Sequence, residues 1–201
     1  MRLKGKSAVV TGAAQGFGLG IAQTFAQEGA RVALVDLNGE AAKAAAERIG
    51  RGSIAIACDV SKRHEVDAAA KSAIEAFGRI DILVNNAGTT YRNQPMLKVE
   101  EAEFDRVFAV NVKSIFLTAR AFAPHMCENG GGAIINIGST AGVRPRPGLT
   151  WYNATKGAVH LMTKSMAVEL APDKVRVCAL APVAGDTPLL ASFLGEDTPE
   201  R

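Results

Sequence analysis

The chain has 201 residues, 48% of them hydrophobic, and a formal net charge of +3. That is enough apolar material for one sizeable core, so a single domain over 1–201 is expected, and no lysine/arginine block marks a nucleic-acid footprint. Cys58, Cys127 and Cys178 are odd in number, sit in apolar surroundings and lack C-x-x-C or histidine spacing; they read as buried free thiols of a reducing compartment, with no metal site.

From the N-terminus, MRLKGKSAVVTG has too short an apolar run for a signal peptide and enters a strand at 7–12 directly. No window approaches the ~20 apolar residues needed to span a bilayer, so a cytoplasmic protein without membrane contact is expected. The first strand runs into Gly12-Ala-Ala-Gln15-Gly16-Phe17-Gly18 and then a helical pattern over 17–28. Glycines at such a junction permit a tight turn and let the backbone approach a pyrophosphate, while the helix N-terminus offers free N–H groups to the anion. A second strand at 31–36 ends on Asp36, eighteen residues after Gly18, near the ~20-residue spacing of a ribose-binding carboxylate. Further strands are expected near 53–58, 80–85, 133–138 and 174–180, and helices near 39–49, 62–77, 100–110, 112–128 and 150–170. Runs such as IAIACD and AIINIG lack polar alternation, which predicts strands buried on both faces. The alternation of strands and helices predicts an α/β fold, a doubly wound parallel sheet ordered 3-2-1-4-5-6, with ligands at the carboxyl ends of its strands.

Tyr152 and Lys156 lie four apart on the last of these helices and share a face, where an ammonium can stabilise a phenolate. A phenol near its reference pKa of ~10 is a poor base at neutral pH, and a neighbouring cation is expected to pull that value down. Singly, Tyr-x-x-x-Lys is a pair of surface side chains, Ser139 a turn residue in Gly-Ser-Thr and Asn111 a helix cap.

Taken together, TGAAQGFG, Asn85-Asn86-Ala87-Gly88, Asn111, Ser139 and YNATK resemble the short-chain dehydrogenase/reductase family in content and order, from residue 5 to about residue 190. Thr11, Gly12, Gly16 and Gly18 fit that family's T-G-x-x-x-G-x-G turn. The resemblance implies a Rossmann fold and hydride transfer between a nicotinamide cofactor and a secondary alcohol or ketone, with a catalytic set of Asn111, Ser139, Tyr152 and Lys156. Tyr152 would exchange the proton and Ser139 would hydrogen-bond the substrate oxygen. Lys156 would bind the nicotinamide ribose, and Asn111 would hold a water leading to it. Asp59 and Val60 would meet the adenine, Asn86, Ala87 and Gly88 the adenosine ribose, and Thr187 the nicotinamide carboxamide, with Gly12, Gln15, Gly16, Phe17 and Gly18 under the phosphates.

Asp36 points to NAD rather than NADP, because a carboxylate accepts hydrogen bonds from ribose hydroxyls and repels a 2′-phosphate. Gln15 agrees, since NADP-preferring relatives often carry a basic residue there. A sugar or polyol is the expected substrate, with a 3-oxoacyl-thioester as the alternative. A non-catalytic NAD-sensing module is the reading from a different class. An extended-family epimerase would need a larger C-terminal domain. Arg144 and Arg146, on a proline-stiffened loop before Tyr152, are either solvated or face an anionic group.

Two helices carry apolar residues over a wide arc: Ile115, Phe116, Leu117, Phe122 and Met126 in one, and Ala158, Val159, Leu161, Met162, Met166 and Val168 in the other. A second buried surface is expected, and the resemblance implies a homo-oligomer, a dimer or tetramer. Two departures from the family stand out. Pro182-Val183 replaces its usual Pro-Gly, with glycine delayed to Gly185, and the sequence given stops at Arg201, before the rest of the family's lid and a seventh strand. The expectation is that these residues form part of a longer polypeptide.

Overall fold

A computed structural model describes residues 1–194, so the end of the expected domain, 195–201, lies outside the described residues. Six parallel strands form one sheet: β1 (Ser7–Thr11), β2 (Arg31–Asp36), β3 (Ile54–Ala57), β4 (Ile82–Asn85), β5 (Gly132–Ile137) and β6 (Val175–Leu180). Their order is β3-β2-β1-β4-β5-β6, as the alternating pattern predicts. The chain reverses direction across the sheet between β1 and β4, and that switch point opens a crevice at the carboxyl ends.

Helices cover the sheet on two sides. On one face, α1 (Gly16–Gln27) and α2 (Gly39–Ile49) bury Ala22, Ala26, Ala42, Ala45 and Ala46 against Val10, Val32 and Leu34. Small side chains there let helix and strand approach closely. On the other, α3 (Arg63–Phe77), α5 (Ser114–Glu128) and the long α6 (Thr150–Leu170) pack over Val9, Leu83, Ile134 and Val177.

Burial on both faces holds for β1 but not for the two edge strands. Ile54, Ala55 and Ile56 of β3 are half-buried and Ala57 is exposed, while β6 alternates, with Val175 and Val177 buried and Arg176, Cys178 and Leu180 exposed. An edge strand has a neighbour on one side only, and α1 and α2 reach across β1–β3 without covering β6. The cysteine expectation is corrected by the same fact: Cys58 is buried, Cys127 is half-buried, and Cys178 faces out from β6; all three are free thiols.

The expected break between helices at 110–112 is absent. Instead α4 (Glu101–Phe108) continues through a wide π-helical turn, Ala109–Lys113, into α5. The extra residue in that turn shifts the apolar stripe, which is why the sequence pattern reads as two helices. The wide apolar arc of α5 is largely consumed inside the subunit, whereas that of α6 is not. Ile115, Leu117, Phe122 and Met126 are buried, because α5 packs on α3 as well as on the sheet; on α6 Val159 is buried, while Phe116 of α5 and Leu161 and Val168 of α6 remain exposed.

Candidate active site

The junction after β1 shows why the sequence needs glycine. Gly12 has φ +62°, and a Cβ there would stand 2.9 Å from the Ala87 Cα. Both facts bar any other residue: the left-handed backbone is costly with a side chain, and the next strand's loop already fills the space. Thr11 and Asn86 tie the two loops together. Thr11 Oγ1 donates to the Val84 carbonyl and accepts from the N–H groups of Asn86 and Ala87, while Asn86 Nδ2 donates to the carbonyls of Thr11 (2.8 Å) and Gly12 (3.0 Å). The Asn86 side chain therefore braces the turn from behind. No side chain caps α1, whose first N–H groups are left for an anion.

Asp36 is held by the backbone. Its Oδ2 accepts from the Ala14 N–H at 2.9 Å and its Oδ1 from the Asn38 N–H at 3.0 Å, leaving each oxygen a further lone pair. With Asp59 and Val60 it lines a cavity of about 400 Å³. A second cavity, of about 420 Å³, holds Ser139, Tyr152, Lys156 and Thr187. Gly12, Gln15, Ala87 and Gly88 line both, so the two form one trough across the glycine turn. Phe17 lines it too, with the Gly185 backbone against its ring, where a Cβ at Gly185 would collide. The delayed glycine thus fits the close approach of this loop to α1. Thr187 comes over the turn as well, its Cγ2 standing 3.3 Å from where a Gly16 Cβ would be.

The residues fit a dinucleotide. The glycine cradle admits no side chain, the helix end is uncapped, and a carboxylate waits one strand away. Among the described residues no cluster of metal-ligating side chains occurs.

At the other end of the trough, Tyr152 and Lys156 come from α6 and Ser139 from the loop after β5. Ser139 Oγ accepts from the Ala141 N–H, and the Ser139 carbonyl accepts from His160 Nε2 at 2.8 Å, so the imidazole carries its proton on Nε2. Burial pushes the Tyr152 phenol above its ordinary value, against smaller opposing effects of the Ser139 hydroxyl and the Arg146 charge. Lys156, expected to pull the phenol down, is not among the groups that shift it. Its ammonium donates to the Ile137 carbonyl at 2.7 Å and stands 5.8 Å from the Tyr152 ring centre. Burial pushes Lys156 down to about 8.

Asn111 is not a cap. It sits in the π-helical turn, accepts from the Thr89 N–H and donates to the Thr89 carbonyl and to Thr155 Oγ1. Gly88 lies between it and Lys156: a Cβ there would be 3.5 Å from Asn111 Oδ1 and 3.7 Å from Lys156 Nζ.

Three residues escape the sequence reading. Tyr91, buried, accepts the Trp151 N–H on its hydroxyl at 3.0 Å, satisfying an orphan donor in the first turn of α6 beside Tyr152. Phe193, from α7 (Leu190–Leu194), stands edge-on to the Tyr152 ring at 5.0 Å. His160 fixes the Ser139 loop. Tyr91 in its loop and Phe193 in a short helix carry no local signal, although His160 shares the periodicity of Tyr152 and Lys156.

Residues 6–197 match the family profile described as short chain dehydrogenase, and the chain belongs to that family. It is an oxidoreductase acting on CH–OH groups. It is 47% identical over 204 residues to 4-formylbenzenesulfonate dehydrogenase TsaC1/TsaC2 of Comamonas testosteroni, covering 99% of this chain and 81% of the relative. It is 41% identical to sorbitol dehydrogenase of Cereibacter sphaeroides, covering 90% of this chain and 71% of the relative. The crystal structure of 3-ketoacyl-(acyl-carrier-protein) reductase from Brucella melitensis complexed with NADH superposes with a TM-score of 0.94 at 50% identity, covering 96% of this chain and 81% of that one.

Proposed function

We propose that the protein moves a hydride between NAD(H) and a secondary alcohol or its ketone, a sugar, polyol or similarly small molecule. The observation that carries this is the single trough, with an ordered carboxylate at one end and Ser139, Tyr152 and Lys156 at the other. The nicotinamide, when bound, supplies the hydride acceptor or donor.

Tyr152 takes the proton from the substrate hydroxyl in oxidation and returns it in reduction. Its raised affinity for a proton suits the donor role. Ser139 Oγ, fixed by Ala141 N–H and the His160 contact, orients the substrate oxygen. Lys156, with one donor on the Ile137 carbonyl, turns its remaining N–H donors to the nicotinamide ribose, and Asn111 holds the water that connects it to solvent. Asp36, with a lone pair free on each oxygen, accepts from the adenosine ribose hydroxyls and disfavours a 2′-phosphate. Gly12, Gln15, Gly16, Phe17 and Gly18 receive the phosphates. Asp59 and Val60 receive the adenine, Asn86, Ala87 and Gly88 wall the ribose, and Thr187 meets the carboxamide. The likeness to the Brucella melitensis reductase favours a second reading, reduction of a 3-oxoacyl thioester.

The subunit pairs with further copies through Phe116 on α5 and Leu161 and Val168 on α6, which are exposed apolar side chains on helices flanking the site. Three free thiols support a reducing, cytoplasmic setting. No helix among the described residues is long and apolar enough to cross a membrane.

Tyr152→Phe tests the chemistry. NADH binding, followed by fluorescence, should persist while kcat falls ~10²–10⁴-fold. Near wild-type turnover would remove Tyr152 from the mechanism.

A further inference from the structure

The charged side chains that line the catalytic cavity are, among the described residues, Lys156 and Arg146; no acid lines it. Lys156 is buried and already bonded to the Ile137 carbonyl. Arg146 is exposed at the mouth, and its described partner is one backbone carbonyl, Val183, at 3.3 Å. No described carboxylate pairs with it, so most of its five donors stay available. The walls beside it are apolar, formed by Leu149, Val183, Leu190 and Phe193.

An unpaired surface arginine is ordinarily a solvated, mobile one. Arg146 is restrained in three ways. Pro145 and Pro147 flank it in the sequence and narrow the backbone on both sides. Its carbonyl accepts from Asn153 Nδ2 at 2.9 Å, tying the loop to the residue after Tyr152. Its guanidinium is tethered across the cavity mouth to the loop that follows β6. Its charge also reaches the Tyr152 phenol, which it helps to pull down.

We propose that Arg146 is a specificity-determining residue that binds the anionic end of the substrate, which is therefore a hydroxy or keto acid, a carboxylate or sulfonate joined to the reacting carbon through an apolar segment. This rests on the hydride-transfer reading above and narrows its substrate class. The guanidinium fork suits either oxyanion through paired N–H donors, while Leu149 and Phe193 cover the segment between. Arg144, on the same loop, does not line the cavity and has no such role.

The test compares 4-oxopentanoate with its neutral counterpart 4-oxopentanamide. Both kcat/KM with NADH and calorimetric binding to the protein–NADH complex are measured. The wild type should prefer the acid, and the preference should shrink as salt is raised. Arg146→Met should cut the acid/amide ratio by roughly 10- to 100-fold, the range of a charge-assisted hydrogen bond. Arg146→Lys should restore part of it, and Arg144→Met should leave it unchanged. A wild type that binds and reduces amide and acid alike overturns the proposal, as does a ratio indifferent to Arg146→Met. Should NADH and the acid bind in an Arg146-dependent way while no ketone is reduced, hydride transfer fails and the anion site stands.

Discussion

The two ends of the trough are built from different materials. At the Asp36 end the geometry belongs to the backbone: Gly12 at φ +62°, an uncapped helix, and a carboxylate held by two N–H groups. At the Tyr152 end it belongs to side chains brought from the loop after β5, α6 and α7, each oriented by another side chain or a distant carbonyl. Backbone-built sites accept few residue types and fail when one is changed. Side-chain sites tolerate change at the edges and can be retuned toward new substrates, since a loop residue such as Arg146 alters selectivity without moving the sheet.

Gly12→Ala should separate the two ends most sharply. A Cβ at a left-handed backbone and against Ala87 costs roughly 2–5 kcal/mol in strain and overpacking. Denaturant midpoints should fall and NADH titration should show the affinity lost along with stability. A variant that binds NADH normally would break the contrast.

Tyr91→Phe probes the other end. Removing the hydroxyl leaves the Trp151 N–H without its partner, at a cost of about 1–2 kcal/mol. Thermal melts should record that loss, and kcat should drop while NADH affinity holds, because Tyr152 follows Trp151 in the same turn. Equal losses of kcat and NADH affinity would mean that the two ends are not separable.

Asp36→Ala should have a smaller energetic effect than Gly12→Ala. Replacing the carboxylate weakens NAD and relieves repulsion of a 2′-phosphate, so the NAD/NADP ratio of kcat/KM should fall by about tenfold, or about 1.4 kcal/mol. A wild type that already prefers NADP would show that the carboxylate points away from the ribose.

The sequence by itself determined what local rules govern. The glycine spacing dictates a turn that only glycine can make, the apolar runs and their alternation with helices dictate the α/β element pattern, and the four-residue spacing of Tyr152 and Lys156 puts both on the buried face of α6. These follow from sterics and helical period, which act over a few residues. The tertiary structure decided whatever depends on neighbours distant in the chain. It made β6 an edge, which exposed Cys178, and it let α5 use its apolar arc on α3. It ran α4 into α5 through the π-helical turn at Asn111, and engaged that side chain with Thr89 and Thr155. It also turned the Lys156 ammonium to the Ile137 carbonyl and buried the Tyr152 phenol, which raises the phenol's affinity for its proton. Desolvation and side-chain direction are sums over everything packed around a group, and no spacing along the chain encodes that sum.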